Sequence, residues 1–279
     1  MPDEKEPVIL SKTETEDLDS ADIGCLVINA ENSNGWFIDG NGDNYVVIAI
    51  ESRNFWIPLF HKGFFVPEKS DEELAQSVIF HLEKLALYEK KFIRLSYAMI
   101  KSGKGLYGLD YYISGIVSRV LSLLYGFDML IKASNYVAAA HLVRPHLDNY
   151  LRLYAAWLSD KPHEFATAVW AGKPVNQLKD SNGVLMTDSH LKRKAVENHP
   201  WIKDVYDETS GFIHFSNKHI AIATSLSSSK ERTLGTHLSK TDHKVSNHNR
   251  LEAIFCMIEI SNSIAELIFG YVYTKRMDG

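Results

Sequence analysis

Residues 70–99 read SDEELAQSVIFHLEKLALYEKKFIRLSYAM. Leu74, Val78, Leu85, Tyr88, Phe92 and Met99 recur at intervals of three, four and seven, which puts them on one stripe of a 3.6-residue helix. Ser70 followed by Glu73 is a capping-box pattern: the hydroxyl accepts from the Glu73 amide while the Glu73 carboxylate reaches back to the Ser70 amide. A long helix is therefore expected to start at Ser70. Upstream of it the period is two. Short runs at Cys25–Asn29, Trp36–Asp39, Tyr45–Ile50 and Phe55–Phe60 are separated by the turn clusters ENSNG at Glu31–Gly35 and GNGD at Gly40–Asp43. These predict a small antiparallel β element of three or four strands. The first 22 residues are acidic, with no apolar segment, and read as a mobile tail and not a secretory signal.

Downstream the helical period persists. GKGLYG at Gly103–Gly108 breaks the first helix, and Tyr111 to Lys132 is apolar almost all round, which predicts a central buried helix. VAAAHLVRPHLDNYLRLYAAWL at Val137–Leu158 follows. Shorter helices are expected at His163–Ala171, Ser189–Glu197 and Trp201–His219, with a loop at Pro174–Met186. Ser225–Asn249 is rich in Ser, Thr, Lys and His and predicts a mobile loop. The last helix runs from about His248 to Tyr273 with Leu251, Ile254, Phe255, Ile258, Ala265, Ile268 and Phe269 on its core face. The expected architecture is mainly α, a multi-helix bundle with a small N-terminal antiparallel β element. Its parts are a tail over 1–22, the β element over 23–68 and the bundle over 69–279, with the mobile loop at 225–249.

Composition narrows the function. The chain has 279 residues and a net charge of −5, so no global basic field favours nucleic acid and any such contact needs a local patch. Two cysteines, Cys25 and Cys256, stand far apart and outside metal-ligand spacing, which fits a reducing cytoplasm and argues against a disulfide framework or a zinc site. The longest apolar stretches are interrupted by Asn, Glu or Gly, so no membrane contact is expected.

Two constellations can carry chemistry. Ala140, Leu147, Leu151, Tyr154 and Leu158 share a narrow helical face, and Arg144 lies on that face, directly before Pro145. A guanidinium stays charged inside a protein, so on an apolar seam it needs an acceptor or a polar cleft. The proline removes one backbone bond and is expected to kink the helix. In WIKDVYDETSGFIHFSNKH, Tyr206, Ser210 and His214 stand at i, i+4 and i+8, with Asn217 close by. On a helix they form one line, either a solvated face or a polar wall opposite Arg144, where His214 could act as a general base. Gly211 weakens both readings, because a break there rotates His214 to another face. Trp201, Val205, Phe212 and His219 mark a separate apolar line.

The order is a buried helix, a helix with an inward arginine and a following carboxylate (Arg144, Asp148), then a helix with Tyr206, Ser210 and His214. Over roughly Tyr111–His219 this resembles a bacterial branch of the HEPN-like helical-bundle proteins (higher eukaryotes and prokaryotes nucleotide-binding). The resemblance implies an all-α bundle that often dimerises. Many members are metal-independent ribonucleases of toxin–antitoxin and anti-phage systems, and others are inactive binding modules. In the active ones an Arg and a His a few residues apart on one helix meet across the dimer to cut the RNA phosphodiester. Two Arg-x4–6-His spacings occur here, Arg193…His199 and Arg232…His237. His199 precedes Pro200 at a helix boundary and Arg232–His237 spans Gly235 in a loop, so neither stands mid-helix. The expectation is an intracellular metal-independent endoribonuclease or nucleotide-interacting component of a defence or toxin–antitoxin system. It would use Arg144, Tyr206, Ser210 and His214, with RNA or a nucleotide as partner, a homodimeric assembly and no cofactor or metal. The alternative is a non-catalytic helical interaction module, binding a protein partner, with Arg144 as a structural ion-pair residue, paired for instance to Asp128 or Asp148.

Other features read as structure. His243 and His248 have the spacing of a metal pair but no clear third ligand. GKGLYG has neither the preceding strand nor the Gly-Lys-Ser/Thr ending of a phosphate loop, and Ser210 has no nucleophile-elbow context. Glu252, Glu259 and Glu266 line one flank of the last helix and are expected on a solvated edge. His146 points away from the seam and is expected at the surface, and Trp36, Trp170 and Trp201 in core or cap packing.

Overall fold

The computed structural model describes the backbone of Leu26–Ile28, Asn34–Ile38 and Tyr45–Ala49 and of residues 70–277, apart from 215, 229–232, 237 and 243–244. The first helix, α1 (Asp71–Lys101), starts where the capping box places it: the Glu73 amide donates to Ser70 Oγ at 3.3 Å and the Ser70 amide to Glu73 Oε2 at 2.8 Å. Asp71, Glu72 and Glu73 in its first turn and Lys101 in its last complement the helix dipole. Val78, Leu85, Phe92 and Met99 of the stripe are buried, joined by Leu82, Leu95 and Ala98. Gly103, at φ 72°, turns the chain into α2 (Gly108–Lys132), whose first turn is held by the Tyr107 amide donating to Asp110 Oδ2 at 2.6 Å.

α2 is not the central helix. Leu109, Ile113, Val120, Leu124 and Phe127 are buried on one side, while Tyr111, Tyr125 and Met129 are exposed on the other. The outer face is built of Ser114, Gly115, Ser118 and Ser122 between those rings, small and polar groups that water solvates readily. The central position belongs to α3 (Tyr136–Leu158), which packs against α2 and the last helix, α8 (Asn247–Met277), and against the shorter helices. α3 continues through Pro145 as one helix. Its N-terminus is capped from a distance: both Asp242 carboxylate oxygens accept, from the Tyr136 amide at 2.8 Å and the Val137 amide at 2.9 Å.

α4 (Pro162–Trp170), a 3-10 turn at Val175–Gln177, α5 (Asp188–Asn198), α6 (Trp201–Ile213) and the short α7 (Asn217–Ala223) surround α3. Two short strands, β4 (Thr224–Ser228) and β5 (Thr233–Thr236), pair antiparallel inside the Ser/Thr-rich segment, and α8 closes the bundle along α1. Ahead of the helices, β1 (Leu26–Ile28), β2 (Asn34–Ile38) and β3 (Tyr45–Ala49) run antiparallel, Trp36 opposite Val27 and Val47. The tail 1–22 and the run Phe55–Phe60 lie outside the described residues. The described part is a mainly helical bundle. Two of its helices, Gly108–Lys132 and Asn247–Arg276, are long and apolar enough to cross a membrane by length and composition, longer apolar segments than the sequence reading allowed. In the bundle each buries part of that surface against neighbouring helices.

Three polar groups lie where sequence did not put them. His146 is fully buried, because α8 packs against the side of α3 that faces away from the Arg144 seam. Its Nε2 lies 2.9 Å from Ser261 Oγ, whose own hydrogen goes to the Met257 carbonyl at 2.7 Å, so Nε2 carries the proton and Nδ1 is left without a partner among the described residues. Burial pushes the imidazole down to about 3, with Arg119 adding to it against a bond toward Met257. Glu259 and Glu266 are half-buried instead of solvated. Burial, and for Glu259 the Glu266 carboxyl beside it, raises both to about 7, with Lys91 of α1 opposing. Of the tryptophans, Trp201 is buried, whereas Trp170 is exposed, its ring edge-on to Tyr111.

Candidate functional site

Arg144 leaves the middle of α3 toward α6. Its Nη1 donates to the Tyr206 carbonyl at 3.0 Å and to Ser210 Oγ at 3.4 Å, and its guanidinium carbon lies 3.2 Å from the centre of the Tyr206 ring. Three of the four residues expected at the site therefore meet. They meet because Tyr206 and Ser210 are one turn apart on α6, on the face it turns to α3. The Ser210 hydroxyl donates to the same Tyr206 carbonyl at 2.8 Å.

His214 does not continue the line. α6 ends at Ile213, and His214 is its C-cap in an extended conformation (φ −102°, ψ 143°), with an exposed side chain. Two residues after Gly211 the helical register is lost, which turns the ring away from the i, i+4, i+8 direction. No contact joins His214 to Arg144 among the described residues.

Neither suggested carboxylate pairs with Arg144. Asp148 is held between Arg119 and Arg152, each at 2.9 Å, and Asp128 pairs with Lys132 at 2.7 Å. Arg144 Nε and Nη2 meet no described hydrogen-bond acceptor. These two atoms form one edge of the guanidinium, the edge that fits two oxygens of a phosphate side-on.

Two histidines that sequence reading left aside stand here. His141 lies one turn before Arg144 on α3, and its ring centre is 5.8 Å from that of His219 on α7. Phe212 touches both rings. His141 Nδ1 lies 2.7 Å from the Val137 carbonyl and so carries the proton that bonds it, and the Ser216 amide donates to His219 Nδ1 at 3.2 Å. The i−3 spacing of His141 to Arg144 was the available signal; the approach of His219 was not legible, because it depends on the chain reversal after Ile213.

The Arg-x4–6-His spacings do not assemble. Arg193, exposed on α5, donates to His190 Nδ1 at 2.9 Å, and His190 Nε2 in turn donates to Asp180 Oδ2 at 2.8 Å. That chain pins the Asp180 turn to α5. His199 is the C-cap of α5, its ring against Tyr150 and Trp201, and burial lowers its pKa. Arg232, His237 and His243 lie outside the described residues. His248 faces Glu252 at 3.8 Å, and among the described residues no group of three His, Cys, Asp or Glu side chains is placed to hold a metal ion. No protein-family model, no curated protein and no solved structure matches this chain.

Proposed function

We propose that the α3–α6–α7 face is a phosphate-binding site. The protein would then be a HEPN-like helical-bundle protein carrying a small N-terminal β element. It would be a cytoplasmic metal-independent endoribonuclease, or a nucleotide-interacting component of a defence or toxin–antitoxin system. The observation that carries this reading is Arg144: a half-buried guanidinium, with no carboxylate partner among the described residues, whose Nε–Nη2 edge is unused. In such a site Arg144 holds the phosphodiester and offsets the charge that builds on its oxygens in the transition state. A histidine takes the ribose 2′-hydroxyl proton as that oxygen attacks phosphorus, and a second histidine protonates the departing 5′-oxygen. His214 is the histidine expected from sequence, and His141, one turn from the arginine, with His219 beside it, supplies two further imidazoles.

A non-catalytic interaction module is the second reading, and the bond from Arg144 to the Tyr206 carbonyl and ring favours it, since these contacts help fasten α3 to α6. One experiment separates the two. RNA cleavage by purified protein in EDTA is compared with thermal melts for Arg144→Ala, His141→Ala, His214→Ala and His219→Ala. Catalysis predicts a loss of ~10²–10⁴-fold in Arg144→Ala and in at least one histidine variant that melts as wild type does. No cleavage and no nucleotide binding by the wild type, with a lowered melt for Arg144→Ala, leaves the interaction module. A homodimer belongs to the same proposal: Ile79, Phe80, Ile93 and Ile100 on α1 and Tyr125 and Met129 on α2 are exposed apolar groups of the kind a twin would cover. A monomer by light scattering at micromolar concentration removes it.

A further inference from the structure

About 18 Å along α3 from Arg144, at 1.5 Å per residue, the ends of four helices enclose a pocket of about 440 Å³. This falls within the range of small-molecule sites. Leu109 and Ile113 of α2 and Leu153 and Ala156 of α3 give it apolar walls. Tyr107, Trp157, His163 and Tyr271 supply aromatic surface, with the His163 ring centre 5.0 Å from that of Tyr107 and 6.2 Å from that of Tyr271. Lys275 also lines the pocket, but its ammonium is saturated: Nζ donates to the Met99 carbonyl at 3.0 Å and to the two Asp110 oxygens at 2.9 and 2.8 Å. The charges cancel and no ammonium donor remains for an anion. Tyr271 is different. It is only 7 % exposed, and its hydroxyl is buried near the Asp110 carboxylate without a hydrogen bond of good geometry among the described residues. A buried hydroxyl without a well-formed hydrogen bond costs free energy until a better-placed acceptor reaches it.

We infer that this pocket binds a small, uncharged, planar aromatic molecule. Its ring lies against the Tyr107, Trp157 and His163 side chains, and an acceptor atom at its edge takes the Tyr271 hydroxyl after a small movement of that ring. Aromatic walls favour a flat π-system over an aliphatic one, because offset and edge-on ring contacts add to the area buried. The neutralised Lys275–Asp110 pair excludes a charged ligand, since a desolvated charge would find no counter-ion. This site stands apart from Arg144 and does not depend on the phosphate-binding reading.

The test uses three probes by ligand-observed NMR with the full chain: quinoline (planar, uncharged, one ring-nitrogen acceptor), 2-naphthoate (planar, anionic) and cyclohexylmethanol (uncharged, not planar). Quinoline is expected to bind at least tenfold more tightly than either of the others. Thr274→Trp places a large ring from an exposed position at the pocket's lining and is expected to abolish quinoline binding. Tyr271→Phe is expected to weaken quinoline about tenfold with little change in the thermal melt, because the hydroxyl makes no well-formed hydrogen bond in the free protein. The inference is overturned if quinoline does not bind at millimolar concentration, if 2-naphthoate binds as well, or if folded Thr274→Trp binds quinoline as the wild type does. Unchanged quinoline affinity in Tyr271→Phe overturns the role of the hydroxyl.

Discussion

Lys275 and Asp110 show how a single buried pair fastens the bundle. The two side chains are 2 % and 3 % exposed, and the Lys275 ammonium joins α8 to the last turn of α1 and the first turn of α2. Removing one partner leaves an uncompensated charge, so Lys275→Met is expected to cost ~3–5 kcal/mol in urea unfolding. Asp110→Asn with Lys275→Met is expected to cost clearly less than the two single changes added together, since the double variant leaves no lone charge. Strict additivity would show that the pair contributes nothing as a pair. Arg144 is a milder case. It is half-exposed and bound to a carbonyl, a hydroxyl and a ring, so its loss is expected to cost only ~1–2 kcal/mol of stability. Sequence located Arg144, Tyr206 and Ser210 through helical spacing, which is a local property. It misplaced His146 because a helix face is surface or core depending on what packs on it, and α8 arrives from more than a hundred residues downstream.

At the scale of elements, two glycines of α2 are expected to behave oppositely. A Cβ at Gly108 would stand 2.8 Å from Thr167 Oγ1 and 3.0 Å from the His163 carbonyl oxygen, so α4 sits directly on that backbone. Gly108→Ala forces α4 outward, with an expected loss of ~1–3 kcal/mol. Adding Thr167→Ala relieves only part of it, because the His163 carbonyl remains. Gly115 has nothing within 4 Å of its would-be Cβ. There Gly115→Ala gains helix propensity and is expected to raise stability by ~0.5–1 kcal/mol. Equal losses from both substitutions in thermal melts would contradict this account of α2. The limits of α1 were legible because the Ser70–Glu73 box is written within four residues. The break after Ile213 was not, since Gly211 and the residues beyond it leave both continuation and reversal open.

For the molecule as a whole, buried titratable groups set the pH of greatest stability. His146 titrates near 3 when folded and near 6.5 when unfolded, so between those values the unfolded chain binds the extra proton and stability is lost as the pH falls. Glu259 and Glu266 act in the other sense. Folded they titrate near 7 against 4.5 unfolded, so their stabilising contribution is complete below 4.5 and lost as the pH rises through 7. Each group changes stability by up to ~1.4 kcal/mol per pH unit inside its window. Between 4.5 and 6.5 two carboxyls outweigh one imidazole, and below 4.5 the imidazole alone acts, which places the maximum at about pH 4.5. Melts from pH 3.5 to 8 are expected to peak there, and Glu266→Gln to flatten the decline above it. A melt that climbs steadily from pH 5 to 8 would refute the burial of the two carboxyls.

The sequence by itself determined where the long helices run, which faces of α1 and α8 are apolar, and that a charged residue interrupts the seam of α3. These follow from spacing within one segment, where the 3.6-residue period decides which side chains share a face. The tertiary structure alone decided that α3 is the central helix and α2 an outer one. It also decided that Arg144 meets Tyr206 and Ser210 but not a carboxylate, that His141 faces His219, and that the ends of four helices close around Tyr271. The physical reason is that burial and contact between segments depend on which surfaces remain uncovered after every helix has packed. Helices with equally apolar faces compete for the same neighbours, and no local pattern records the outcome.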